Sequence, residues 1–435
     1  MKITFVGAGS FRFTGRLVGD IVSFPELRKD LVISFMDIDA EKLKVTEALV
    51  KKMLESLKLK VRVETSLSRK KALKGADYVI NTIQVGGLDL YGVDMQIPKK
   101  YGIRQTVGDT VGPGGIFRGL RTIPVMLDIL RDMEKLCPEA VFLNYTNPMA
   151  IITWAMYRGS GIKSYGLCHS VQGTHDDIAF YLGIKPEELS STAAGINHSS
   201  WFLKLERKGK DMYPALKRRV KTPGIRNKKI WGNLTDAVRF DLMDRFGYFA
   251  TESSMHHAEY SPYYLKDKEA VKKYHIDFWG SEKDRRDYLK YLKETKRNIK
   301  EKKKIKLEKT KEYAPLIIHS METGELRKCN MNVENTGLIT NLPEGSCVEV
   351  PCMIDKGGVA PVYVGDLPLG IASYCSRLVF AQGLAVEASF TGRKDLVYQA
   401  LLADPLTGSI LRTDRVIAMA DEFFKREKKF LPQFK

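Results

Sequence analysis

Lys2-Ile3-Thr4-Phe5-Val6-Gly7-Ala8-Gly9-Ser10 is the stretch on which the fold turns. Five β-favouring residues run straight into Gly-x-Gly, and a helix-compatible segment follows from about Thr14. Glycines at Gly7 and Gly9 let a backbone approach a pyrophosphate, which then rests with Ser10 on the free N–H groups of the following helix. Position 12, where a third glycine would complete Gly-x-Gly-x-x-Gly, is Arg12. The next apolar run, Leu31–Met36, ends in Asp37-Ile38-Asp39. A carboxylate at Asp37 is expected to accept hydrogen bonds from an adenosine ribose and to repel a 2′-phosphate, so the cofactor expected is NAD and not NADP.

Outward from this start, strand and helix patterns alternate over the first 170 residues. Strands are predicted at Ile3–Val6, Leu31–Met36, Ala76–Thr82, Ala140–Asn144 and Ser164–Leu167, with helices such as Ala40–Leu57 and Leu120–Leu136 between them. That alternation implies an α/β fold with a Rossmann-like, doubly wound parallel sheet. Beyond about residue 190 it weakens. Long charged helical segments (Glu282–Lys311, Asp395–Leu402, Asp414–Lys429) mix there with short strands such as Cys347–Met353. The expected division is an NAD-binding domain over 1–190 and an intimately packed α+β domain over 191–435, serving substrate, metal and oligomerisation.

Composition narrows the function classes. The chain has 435 residues, 44% hydrophobic and 28% charged, which excludes disorder as its main state. No apolar run reaches the roughly 18 residues of a membrane helix, and no leader precedes the first strand, so a soluble cytoplasmic protein without a membrane partner is expected. Six cysteines without a CxxC pair fit neither a disulfide scaffold nor a ribbon-type zinc site. The formal charge of +18 draws attention to nucleic acid, but much of it sits in the run Lys293–Lys311, read as a solvated helix face. No basic motif interleaved with aromatics accompanies it, so no nucleic-acid partner is expected.

Four stretches carry chemistry. Cys168 follows a predicted strand and precedes a helix, a position that lowers a thiol pKa and favours metal ligation. His198, thirty residues further on in Gly195-Ile196-Asn197-His198, is a second candidate ligand. One Cys and one His would leave open positions on a divalent ion for substrate oxygens. Asn147, in Asn144-Tyr145-Thr146-Asn147-Pro148 at a predicted strand end, suits a sugar hydroxyl or a cofactor ribose. The glycine-rich run Val107–Arg118 is too irregular for a hairpin, lacks a Walker lysine, and offers Asp109 and Arg118 as substrate contacts.

Taken in order, Ile3–Ser10, Gly112-Pro113-Gly114-Gly115, Asn144–Pro148, Gly166-Leu167-Cys168-His169-Ser170-Val171-Gln172-Gly173-Thr174 and Gly195–His198 resemble glycoside hydrolase family 4, in its α-galactosidase branch. The likeness continues through Asn341–Gly345 and Gly365–Pro368. It implies a fold related to lactate and malate dehydrogenases, bound NAD, and a divalent metal, usually Mn²⁺, on the residues matching Cys168 and His198. It implies a homodimer or homotetramer. The chemistry implied is oxidation at C3 of the sugar, deprotonation at C2, and elimination then addition at C1, an exception to the two-carboxylate scheme of most glycosidases.

Within that resemblance Glu252, in Gly247-Tyr248-Phe249-Ala250-Thr251-Glu252, aligns best with the base. The phospho-hexosidase branches carry Asn or Asp after the cysteine; here stands His169, which becomes the candidate general acid alongside a metal-bound water. Tyr260, in the cluster His256-His257-Ala258-Glu259-Tyr260, is a further proton carrier, and Asn197 joins Asn147, Asp109 and Arg118 as a substrate contact. The expected substrates are α-linked, non-phosphorylated glycosides, α-galactosides first. An α-hexuronidase is the alternative, with Arg118 or Arg12 meeting a C6 carboxylate. A 2-hydroxy-acid dehydrogenase would share fold and NAD, but needs no metal-binding cysteine and shows net NADH formation.

Overall fold

The computed structural model describes residues 1–230, 235–278, 281–301 and 309–434. Its strands are β1 (Lys2–Val6), β2 (Val32–Met36), β3 (Arg62–Ser66), β4 (Tyr78–Asn81), β5 (Val141–Asn144), β6 (Ser164–Gly166), β7 (Ser190–Ile196), β8 (Ser199–Arg207), β9 (Lys210–Asp211), β10 (Phe249–Ala250), β11 (Arg327–Glu334), β12 (Cys347–Asp355) and β13 (Gly358–Pro361). All of them belong to one sheet. Its first half runs β3-β2-β1-β4-β5-β6, with every neighbouring pair parallel. This is the Rossmann order. The sheet reverses direction of winding between β1 and β4, and the crevice at their C-terminal ends is where such folds take ligands.

Burial explains why these strands were legible. Ile3, Phe5, Ile33, Phe35, Val79, Ile80, Phe142 and Leu143 are fully buried, as expected of parallel strands covered on both faces. β3 was not anticipated. Its Arg62-Val63-Glu64-Thr65-Ser66 lies on the sheet edge with no residue fully buried, so it carries no apolar run.

Beyond β6 the sheet continues antiparallel, in the order β11-β12-β7-β8-β10. Two joins in it are narrow. β6 meets β11 only at Gly166 and Asn332, and β12 meets β7 only at Gly195 and Glu349. Both glycines stand at close approaches: a Cβ on Gly166 would lie 2.4 Å from Thr153 Oγ1, and one on Gly195 (φ +148°) 2.7 Å from the Ser199 carbonyl oxygen. Strands β6 and β7 lie on either side of β11 and β12 and end two residues before Cys168 and His198 respectively.

Several helices differ from expectation at their starts. The first begins at Phe11, not Thr14, and spans Phe11–Ser23. The helix expected at Leu120 begins at Gly112, so Gly112-Pro113-Gly114-Gly115 is a helical first turn and not a loop. Pro113 is suited to that turn. A Cβ on Gly115 would come 2.5 Å from the Thr110 carbonyl carbon, and one on Gly114 2.8 Å from the Gly108 oxygen, which is why small residues stand there. The charged helix covers Ser281–Lys300; residues 302–308 of the expected Glu282–Lys311 segment lie outside the described residues. One correction concerns Leu369–Thr391, a helix long and apolar enough to cross a membrane by composition. More than half of it is buried, with Ile371, Cys375, Leu378 and Val386 inside the protein.

Candidate active site

The glycine turn after β1 is shaped by close approach. Gly7 has φ +85°, and a Cβ there would lie 2.7 Å from the Ile83 nitrogen, so no other residue fits without moving the backbone. The N–H groups of Gly7 and Ala8 both donate to the Met36 carbonyl at 2.9 Å. Asp37 accepts from the Gly9 N–H at 2.6 Å and the Asp39 N–H at 2.9 Å, while Asp39 caps the helix Ala40–Ser56. The Asp37 carboxylate thus sits against the glycine turn. Ser10 caps the helix Phe11–Ser23 with no hydrogen bond from its side chain, so the first N–H groups of that helix have no side-chain cap.

A cavity of about 460 Å³ runs from this turn to the ends of β4, β5 and β6. Ser10, Asp109, Arg118, Asn147, Cys168, His169, His198, Glu252 and His256 all line it. Sidewall order comes from the strand ends: Asn81 Nδ2 donates to Asn144 Oδ1 at 2.9 Å and Thr146 Oγ1 at 3.0 Å. The Asn147–Pro148 and Asn197–His198 peptides are both cis.

At the inner end Cys168, His198 and Glu252 bring Sγ, a ring nitrogen and a carboxylate oxygen within 4.8 Å of one another. Thiolate, imidazole and carboxylate are a donor set that fits a divalent transition metal. The expectation of a lowered thiol pKa is corrected. Burial pushes Cys168 up to about 12, outweighing His169 and the Ser170 side chain; the Ser170 N–H donates to Sγ at 3.4 Å. An incoming cation would have to displace that proton. Glu252 has a left-handed backbone, φ +68°, unusual for a residue with a side chain. Burial raises its pKa, but the nearby His256, His198 and His169 bring it below the ordinary glutamate value.

Around this cluster sits a polar layer that motif reading missed. His198 Nδ1 lies 3.1 Å from Thr110 Oγ1 and 3.3 Å from the Tyr260 hydroxyl, which leaves Nε2 as the nitrogen for an ion. Tyr260 is fully buried behind His198 and is not in the cavity wall. Burial raises its pKa well above the ordinary tyrosine value. Asn197 also stays off the wall; its Nδ2 donates to Glu349 Oε1 at 3.3 Å, and Ser200 Oγ donates to Glu349 Oε2 at 2.5 Å. Thr110 lies in the run Val107–Arg118, but Glu349 and Ser200 belong to no local motif. Only the meeting of β7, β8 and β12 gives those two a role.

On the opposite wall Asp109 accepts from Asn147 Nδ2 at 2.9 Å, and Arg118 Nε donates to the Asn147 carbonyl at 3.2 Å. Burial raises the Asp109 pKa, yet His256, Arg118 and His198 bring it down to about 2. His169 is paired with Glu312, Nδ1 to Oε1 3.3 Å, and that contact raises its pKa to about 9 against the opposing effect of burial. His256 stands between two carboxylates, Nδ1 3.4 Å from Glu252 and Nε2 3.8 Å from Asp109. His257 belongs elsewhere. Its Nε2 meets the Thr251 carbonyl at 2.8 Å, and burial brings its pKa down to about 3. Arg12 is likewise outside the cavity, its guanidinium 4.1 Å above the Tyr291 ring.

Fold and site together define an enzyme of Rossmann-like architecture, in which one cavity joins a glycine-turn crevice to a metal-competent Cys-His-Glu cluster. Residues 2–184 match the model of the family 4 glycosyl hydrolases, and residues 193–407 that of their C-terminal domain. The chain is 42% identical to an α-galactosidase of Bacillus subtilis (strain 168) over 100% of both chains. It is 30% identical to an α-galacturonidase of Lachnoclostridium phytofermentans, over 100% of this chain and 97% of that one. The chain belongs to glycosyl hydrolase family 4 and is a glycosidase. A 6-phospho-β-glucosidase from Thermotoga maritima, solved with manganese, NAD⁺ and glucose 6-phosphate, superposes with a TM-score of 0.80 at 25% identity, covering 99% of each chain. A malate dehydrogenase from Plasmodium falciparum reaches 0.50 at 14% identity, over 91% of this chain and 99% of that one, a likeness of fold alone.

Proposed function

We propose that this chain hydrolyses α-linked, non-phosphorylated glycosides, α-galactosides first, with NAD and a divalent cation, manganese foremost. The observation that carries the reading is one cavity whose wall holds both Ser10, at the end of the glycine turn, and the Cys168-His198-Glu252 cluster. When bound, the nicotinamide supplies a reversible hydride acceptor for C3 of the sugar, and the cation polarises the sugar oxygens, which makes the C2 proton acidic.

The protein's own groups then have separate tasks. Ser10 and the start of the helix Phe11–Ser23 hold the pyrophosphate, and Asp37 holds the adenosine ribose. Cys168 and His198 hold the cation, with Thr110 and Tyr260 fixing the orientation of the His198 ring. Glu252, within reach of both ligands, takes the C2 proton and returns it once water has added at C1. His169, paired with Glu312 on the cavity wall, gives a proton to the departing aglycone oxygen. Asp109 and Asn147, bonded to each other, hold sugar hydroxyls beside Arg118.

Turnover in D₂O tests this route, because elimination requires loss of the C2 hydrogen and direct displacement at C1 does not. Deuterium at C2 of the product is expected; its absence would sink the mechanism. Glu252→Gln with full C2 exchange and a normal metal content would move the base elsewhere.

The α-galactosidase reading rests on the 42% identical full-length relative and on His169 after the cysteine. Arg118 on the cavity wall favours a second reading, an α-galacturonidase whose substrate carboxylate meets that guanidinium. Comparing kcat/KM for p-nitrophenyl α-galactoside and α-galacturonide separates them. A preference of about tenfold or more for the uronide, about 1.4 kcal/mol in the transition state, selects the second.

A further inference from the structure

The helix Ser281–Lys300 comes from the C-terminal half of the chain yet lies across the crevice of the first half. Five contacts fix its course. Arg285 pairs with Asp89, on the helix Gly87–Lys100 that follows β4. The Tyr288 ring stands 6.0 Å from Phe11, with Lys42 Nζ 5.7 Å from its centre. Arg12 stacks on Tyr291 at 4.1 Å, and Lys52 Nζ donates to the Ile299 carbonyl at 3.0 Å. Phe11 and Arg12 directly follow the glycine turn, and Lys42 lies just past Asp39, so the helix bridges the C-terminal ends of β4, β1 and β2. These are the strand ends that flank the cofactor crevice.

Charge and polarity agree with that position. The helix carries eight Lys and Arg against four Asp and Glu, complementary to a dinucleotide's phosphates. Burial raises the Tyr288 pKa, Lys42 opposes it, and Asp39 and Asp37 add to it, which puts the tyrosine within the field of the carboxylate assigned to the ribose. Ile38, next to Asp37, is 90% exposed, an apolar side chain of a kind that a purine face would cover. At its other end Asp284 lies in the field of Asp109 on the cavity wall.

We propose that the helix Ser281–Lys300 forms the outer wall of the adenosine half of the cofactor site, with Tyr288 and Tyr291 retaining the dinucleotide through Phe11 and Arg12. The inference rests on the NAD-dependent reading above and adds residues to it. Retention suits that chemistry: a hydride removed and returned within one turnover needs no cofactor exchange, so a wall that slows release does not slow the cycle.

The test follows release of NADH by its fluorescence in a stopped-flow instrument, with metal content and thermal midpoint measured on the same samples. In the double variant Tyr288→Ala/Tyr291→Ala, NADH is expected to leave about fivefold faster or more, with metal content and midpoint unchanged. Tyr288→Phe/Tyr291→Phe, which keeps the rings, is expected to release near the wild-type rate. Wild-type release from the alanine variant, with or without a lower midpoint, would overturn this inference and leave NAD dependence standing. A wild-type protein that binds no dinucleotide would remove the NAD reading itself, and the wall with it.

Discussion

Cys168 concentrates the residue-scale argument, because its surroundings oppose the form in which it would work. It is 7% exposed, and burial raises its thiol pKa to about 12, so near neutral pH a proton occupies the position a cation would take. The compensation lies in the groups around it: the second ligand, His198, is oriented from behind by Thr110 and Tyr260, and Glu252 beside them is held below the ordinary glutamate pKa by neighbouring histidines. Binding of the ion must release the thiol proton, so affinity should climb with pH over the neutral range. Cys168→Ala is expected to lower the metal content measured by elemental analysis to background and turnover by about a hundredfold or more, with the thermal midpoint little changed. Cys168→Ala with wild-type metal content and activity would place the cation elsewhere.

At the scale of elements, the segment that delivers Asp109 to the cavity is held by a single buried carboxylate. Glu259, at the end of the helix Ser254–Glu259, accepts from the N–H groups of Thr106, Val107 and Gly108 at 2.9–3.1 Å. Burial raises its pKa, more than His256 and the Val107 N–H lower it, and the result is about 7. The folded value lies above that of an unfolded glutamate, near 4.5. Below the unfolded value both states carry the proton. As pH rises from about 4.5 to 7 the unfolded chain ionises first, and Glu259 withdraws about 3 kcal/mol of stability across that window. Thermal midpoints measured from pH 4.5 to 8 should therefore fall less steeply in Glu259→Gln than in wild type; identical slopes would show that Glu259 ionises normally.

The same scale shows what could be read in the sequence. β1, β2, β4 and β5 were legible because parallel strands buried on both faces must be largely apolar, and Gly7, Gly9 and Asp37 because a tight turn and a carboxylate at a strand end leave local marks. β3 left none, since an exposed edge strand needs no apolar run. The helical start at Gly112 was hidden by its glycines, which are there for close approach to Thr110 and Gly108 and not for turning. Glu349 and Ser200 were out of reach for a different reason. Each reaches the site across β12 or β8, and nothing near it in sequence announces where that strand will lie. Arg12 looked like a substrate contact because it stands beside the glycine turn; only the course of the helix Ser281–Lys300 shows it stacked on Tyr291.

At the scale of the molecule, the end of the chain closes onto its first half through a charge cluster inside the protein. Arg121 donates to Asp94 at 2.6 and 2.7 Å and to Glu427 at 3.3 Å, all three side chains having no exposed surface. Gln433 Nε2 adds a bond to the Leu120 carbonyl at 2.8 Å, and Lys100 pairs with Glu422 at 2.7 Å. The cluster joins the helices Gly87–Lys100, Gly112–Leu136 and Thr413–Glu427, the second of which carries Arg118 into the cavity. One cation against two carboxylates leaves an excess negative charge in a dry interior. Burial raises the Glu427 pKa to about 7, with Arg121 opposing and Asp94 adding to it, so its ionisation near pH 8 works against the fold. Glu427→Gln keeps the shape and removes the excess charge, so its thermal midpoint near pH 8 should equal or exceed wild type. Arg121→Met instead strands two carboxylates without a partner, a change that costs about 3–5 kcal/mol and should lower the midpoint by several degrees. The two substitutions touch the same contact and are expected to move stability in opposite directions. An equal loss in both would mean that the ionised Glu427 gains more from Arg121 than its burial costs, and that this pair holds the last helix in place.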